Sequence, residues 1–185
     1  PERIGIGAHA QDLDAVRRSD GDPPVVLFGH SMGCQVALEA YRRRPEGVRG
    51  LVLICGSFGR LTSTFHGFPI LDLVLPKLID RVISRPNLAR AIWSRVPHDT
   101  VLKLAAKLGE IDAEHLNPAD MLPYLQHMTH VDLPMFLRML KAAGEHSAWD
   151  HLPEVRVPTL IIAGERDTFT PPFLAREMAR AIPGA

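Results

Sequence analysis

The chain has 185 residues, 46% apolar and 23% charged, a composition that suits one soluble globular domain with a core of its own. Twenty-one basic residues balance 21 acidic ones, so no charge excess points to nucleic acid or to an anionic membrane surface. Two cysteines, Cys34 and Cys55, exclude a disulfide scaffold and read as buried, reduced thiols, and no apolar run is long enough to span a membrane.

The first predicted element is a helix over 8–18, with Leu13 and Val16 on one side. The polar turn SDGDPP ends it. VVLF at 25–28 reads as a short strand. A continuous apolar run of this length predicts burial on both faces of a parallel sheet. A helix over 34–44 follows, with Ala37, Leu38 and Tyr41 at helical spacing and Pro45 as its stop. VRGLVLIC at 48–55 predicts a second strand, and PTLIIA at 158–163 a third. Pro171 or Pro172 then opens a helix whose inner stripe is Leu174, Met178 and Ile182.

Between the second and third strands, residues 59–152 carry no strand pattern. Apolar helical patterns recur over 70–83, 88–96, 101–108 and 133–143, divided by prolines. A segment this long exceeds a plain crossover and predicts a helical cap over one end of the sheet. The resulting division is a partial core at 1–58, a cap at 59–152, and core again at 153–185.

Between the first strand and its helix stands Gly29-His30-Ser31-Met32-Gly33, the pattern G-x-S-x-G. In a strand-to-helix turn this pattern presents a serine as a nucleophile. Small neighbours let strand and helix pack closely around it. The helix N-terminus offers free N–H groups, so the amide of Met32 can hold an oxyanion.

VVLFGHSMGCQVALEAYRRRPEGVRGLVLICGS resembles the central portion of the α/β-hydrolase superfamily, and LPEVRVPTLIIAGERDTFTPP resembles its later strand and acid loop. The resemblance implies an α/β fold: a parallel sheet with flanking helices, and a helical cap inserted after the second visible strand. It implies a Ser-Asp-His triad in that chain order, needing no metal or organic cofactor. A serine at the elbow, where dehalogenases and epoxide hydrolases carry aspartate, sets those two apart.

On that resemblance Asp167 is the acid, in Gly164-Glu165-Arg166-Asp167; Glu165 and Asp150 are weaker candidates. The family's histidine lies downstream of the acid, yet no histidine follows Asp167. The nine present are His9, His30, His66, His98, His115, His127, His130, His146 and His151, and none is assigned as the base. His127 and His130 share a helix face but lack a third ligand, so no metal site is expected. The loop that donates a second oxyanion N–H in the family has no counterpart before Ser31. An internal fragment, truncated at both ends and inactive by itself, is therefore expected. No signal peptide is visible, which implies a cytoplasmic location.

The reaction implied for the parent protein is hydrolysis of an ester or similar carbonyl in a small apolar substrate. Acyl transfer and C–C bond hydrolysis stay open. So does a non-catalytic member of the fold that binds a ligand or a protein partner.

Overall fold

The structure, a computed structural model, describes residues 4–59, 77, 79–95, 120, 123, 127 and 131–185. The chain forms two compact units, one of residues 1–71 with 141–185 and one of residues 72–140. Residues 141–152, expected with the cap, group with the first unit. Ala143 is fully buried there, and Ala148 and Leu152 join the core around the sheet.

The first unit is built on three parallel strands in the order β1-β2-β3. These are β1 (Val25–His30), β2 (Val48–Ile54) and β3 (Thr159–Ile162). β1 runs two residues past the predicted strand because Gly29 and His30 still pair with Leu53 and Ile54. Helix α1 (Ile6–Ser19) precedes β1 and α2 (Met32–Arg43) follows it. Arg44 is extended, as the residue before a proline prefers, and so ends α2 before Pro45.

The strands present their apolar side chains unequally. Leu27, Leu51 and Leu53 point to one face and are buried against Ala10 of α1 and Ala37, Leu38 and Tyr41 of α2. Val26, Phe28, Leu160 and Ile162 point to the other face and are exposed, Phe28 by 71%. The predicted burial of β1 on both faces is thus corrected. The reason is topological. Parallel crossovers are right-handed, and the strand order advances in one direction without reversing, so successive connections fall on the same side.

Arg17 is buried and ties α1 to the turn between α2 and β2 by donating to Glu46 O at 2.5 Å. Nearby, Arg44 pairs with both Asp14 and Asp22.

In the second unit residues 79–83 are helical and α3 spans Pro86–Trp93, with Pro86 in its first turn. Helix α4 (Leu133–Glu145) crosses from this unit into the first. The patterns at 70–76 and 101–108 lie outside the described residues. A 3-10 helix (Trp149–Glu154) leads to β3, and α5 (Pro172–Ala181) follows it, opened by Pro172 with Leu174 and Met178 buried. No helix among the described residues is long and apolar enough to cross a membrane.

Candidate active site

The carboxyl ends of the three strands form one edge, where ligands of open α/β sheets bind. Ser31 stands there, directly after β1, with φ 53° and ψ −124°. That left-handed backbone is costly for any residue with a Cβ, so the surroundings must hold it. Its amide donates to Ile54 O at 3.0 Å, and its carbonyl accepts from Cys34 N at 3.0 Å. A serine before a helix ordinarily caps it through its hydroxyl. Ser31 makes no such bond, and its side chain is exposed with no partner among the described residues. Met32 opens α2, so its N–H belongs to the first turn, where amides lack an intrahelical acceptor.

Two glycines hold this turn. A Cβ on Gly29 would stand 2.5 Å from Gly33 O and 2.7 Å from Cys34 N, so β1 and α2 meet too closely for any other residue. Gly56, just after β2, is the second: a Cβ there would overlap Cys34 Sγ and lie 2.6 Å from Ser31 O. Gly33, the other glycine of the motif, meets no described atom at its Cβ position. Close packing therefore explains Gly29 and not Gly33. Gly56 escaped the sequence reading because the motif itself does not contain it.

Cys34 lies under the turn, fully buried, with Sγ 3.2 Å from Gly29 O. Burial pushes its thiol up to about 12, so it is an unreactive thiol. Cys55, expected to be buried, is partly exposed, because it follows β2 at the strand edge with φ 43°.

Asp167 lies in the loop after β3. Its carboxylate accepts from Phe169 N at 2.9 Å, Thr170 N at 2.8 Å and Thr170 Oγ1 at 2.6 Å. These bonds fix the loop ahead of α5, and Thr170 is itself buried. An aspartate three residues before a threonine was the available signal for this turn. Ser31 and Asp167 thus share one edge, on strands separated by β2. Two strand spacings amount to roughly 10 Å, space enough for one side chain between them. Glu165 and Asp150 are both exposed, Glu165 in a turn and Asp150 in the 3-10 helix.

No hydrogen bond joins a described histidine to Ser31 or Asp167. His30 is exposed at the end of β1, and His151 bonds Glu154 at 2.9 Å. His66, His98, His115 and His130 lie outside the described residues. Among the described residues no three His, Cys, Asp or Glu side chains are grouped to hold a metal ion.

His146 enters a buried network on α2 that the sequence did not reveal. Gln35 Nε2 donates to Ala143 O at 2.9 Å and lies 3.4 Å from His146 Nδ1; His146 Nε2 lies 3.4 Å from Glu39 Oε2. Glu39 also receives Arg42 and Arg43. Burial pushes the Glu39 carboxyl up, but the bonds from Arg42 and Arg43 outweigh it and hold the group below its usual value. Burial pushes His146 down, against the pull of Glu39, so the ring is neutral at pH 7. The network pins the helix that begins at Met32 to residues 143–146.

A serine in a strained turn over a helix N-terminus, at the carboxyl edge of a parallel sheet, agrees with a family match spanning residues 2–185, that of the Alpha/beta hydrolase family. The chain belongs to that family.

Its similarity to 2-hydroxy-6-oxononadienedioate/2-hydroxy-6-oxononatrienedioate hydrolase of Pseudomonas sp. is 30% identity over 97% of this chain and 59% of that relative. Pimeloyl-[acyl-carrier protein] methyl ester esterase of Neisseria meningitidis is 25% identical over 98% of this chain and 67% of its own length. An esterase structure from Exiguobacterium antarcticum superimposes with a TM-score of 0.69 at 21% identity, covering 99% of this chain and 64% of that one. The chain therefore spans about 60% of the length of the α/β hydrolases it matches.

Proposed function

We propose that the whole protein is a serine hydrolase acting on an ester or similar carbonyl in a small apolar substrate. Ser31 Oγ attacks the carbonyl carbon and a histidine accepts its proton. The Met32 N–H stabilises the oxyanion, and Asp167 orients the histidine and balances its charge. The tetrahedral intermediate collapses with loss of the alcohol, which takes the proton from the histidine; water, giving a proton to the same histidine, then attacks the acyl carbon, and the acid leaves as Ser31 Oγ takes that proton back. No step requires a metal or organic cofactor. As the family resemblance implies, the base is a histidine placed after the acid in chain order.

The observation that carries this reading is the backbone of Ser31. A chain that needed only a helix cap would place the serine where its hydroxyl meets the first-turn amides. Here the strained φ of 53° leaves the hydroxyl unpaired among the described residues. A second reading, hydrolysis of an oxo-dienedioate instead of an ester, is favoured by the 30% identity to the Pseudomonas hydrolase.

The test is a fluorophosphonate probe on the whole protein. Ser31 is labelled, and Ser31→Ala abolishes labelling and lowers ester turnover by about a thousandfold or more. Equal labelling of Ser31→Ala defeats the assignment. A panel of p-nitrophenyl esters against an oxo-dienedioate separates the two substrates.

A further inference from the structure

Thr170 spends its hydroxyl on a carboxylate and not on its own turn. Ser57 and Thr159 donate theirs to backbone carbonyls two residues away, Gly59 O and Val157 O, both at 3.1 Å. Such bonds close local turns. Thr170 Oγ1 donates to the side chain of Asp167, reaching Oδ2 at 2.6 Å. Thr170 is only 3% exposed, whereas Asp167 is half-buried.

The hydroxyl is held from behind. Pro171 and Pro172 follow Thr170, each with φ restricted by its ring, and Leu174 and Met178 of α5 are buried in the core. Leu174 N donates to Pro171 O at 2.9 Å, which ties the helix to that joint. On the other side of Asp167, Glu165 and Arg166 are exposed. Thr170 is thus the point at which the packed core reaches the carboxylate.

The bond also decides which acceptor site is left free. An ionised carboxylate offers about four, two on each oxygen. Oδ1 fills both of its sites with the amides of Phe169 and Thr170, at 2.9 Å and 2.8 Å. Oδ2 fills one with the Thr170 hydroxyl. Among the described residues the site that remains is therefore on Oδ2, beside that hydroxyl. The amides hold Oδ1 alone. The hydroxyl holds the second oxygen and so the plane of the group.

Resting on the reading of Asp167 as the acid, we propose that Thr170 is a positioning residue of the hydrolysis: its hydroxyl sets the carboxylate plane so that the remaining site on Oδ2 receives the histidine N–H. An acid of this kind orients an imidazole and balances its charge, so it must offer an acceptor in one direction. Loss of that direction costs turnover and spares substrate binding.

Two pairs of side chains differ chiefly by the hydroxyl. Thr and Val share a shape, and Ser and Ala both lack the γ-methyl. In the whole protein, Thr170→Val lowers kcat for p-nitrophenyl butyrate about tenfold or more, with KM within about twofold. It slows fluorophosphonate labelling of Ser31 about as much, a readout that needs no choice of substrate. Thr170→Ser keeps kcat and labelling within about threefold of the unsubstituted protein, although its lost methyl lowers the melting temperature. Thr170→Ala falls about tenfold or more below Thr170→Ser. Activity thus follows the hydroxyl, and stability follows the methyl. A packing role alone reverses the order, with Val tolerated and Ser impaired, and that result overturns the proposal. So does equal activity of the Ser and Ala variants, or a Val variant changed only in KM. If Thr170→Val fails to fold, the Ser–Ala pair decides by itself. Asp167→Ala tests the underlying reading separately, with an expected loss in kcat of about a thousandfold or more. Without that loss Asp167 is not the acid, and the role of Thr170 falls with it. With that loss and full activity in Thr170→Val, the role of Thr170 alone is overturned.

Discussion

The two faces of the sheet carry similar residues and meet opposite environments. Leu51 and Leu53 are 1% and 0% exposed, whereas Phe28 and Leu160 on the opposite face are 71% and 55% exposed. Strand propensity treats all four alike. Only the side on which the helices land separates them. On one face α1, α2 and α5 remove the side chains from water and make them core; on the other the same chemistry is surface. The hydroxyl of Ser31 and the carboxylate of Asp167 sit at the end of this lopsided sheet, so the geometry of the candidate site is set chiefly by packing on the covered face.

The largest effect follows from that contrast. Leu53→Ala removes atoms from a close-packed core and costs about 2–5 kcal/mol in urea unfolding. Phe28→Ser, one register pair away on the exposed face, changes stability by less than about 1 kcal/mol and raises the concentration at which scattering begins. Equal losses would show that the second face is covered in solution.

Gly56→Ala sharpens the comparison at the edge of the sheet. The new Cβ enters the space of Cys34 Sγ and approaches Ser31 O, so either β2 or the elbow must shift. A loss of about 1–3 kcal/mol is expected. Gly33→Ala, where no described atom stands, costs under about 1 kcal/mol and provides the control.

The buried network on α2 sets a pH dependence. His146 has its affinity for protons lowered by burial, so the unfolded chain binds protons more readily below pH 6.5. Stability therefore falls as pH drops from about 6.5 toward the folded value. Glu39 is also depressed, which adds stability above the ordinary carboxylate range and loses it as pH falls through the lower folded value. Urea midpoints measured from pH 8 to 3 show two successive declines, and His146→Gln flattens the first. A midpoint that is unchanged between pH 7 and 5 would remove His146 from the network.

The smallest effect is chemical. With its thiol pushed up to about 12 by burial, Cys34 stays silent to a disulfide reagent in the folded state. Native protein titrates at most one thiol, and denatured protein two. Two fast native thiols would mean that the packing beneath the elbow is open.

Much of the core unit was legible in the sequence. Three apolar runs became three strands, prolines marked helix ends at 45 and 172, and glycines at 29 and 33 framed the serine. These are local signals, since a few neighbouring residues determine them through backbone sterics and side-chain period. The Gln35–Glu39–His146 network was not legible, because Glu39 and His146 stand 107 residues apart and nothing local marks them as partners. Nor was the grouping of residues 141–152 with the sheet, which rests on where Ala143, Ala148 and Leu152 pack.

The sequence by itself determined the elements, their parallel class and the family to which they point, since hydrophobic period and turn chemistry are written residue by residue. Tertiary structure alone decided which face of each strand is core, that Ser31 adopts a left-handed backbone with its hydroxyl unspent on capping, and that Asp167 reaches the same sheet edge. Those outcomes depend on the hand of the crossovers and on contacts between distant segments, and no local window of sequence contains either.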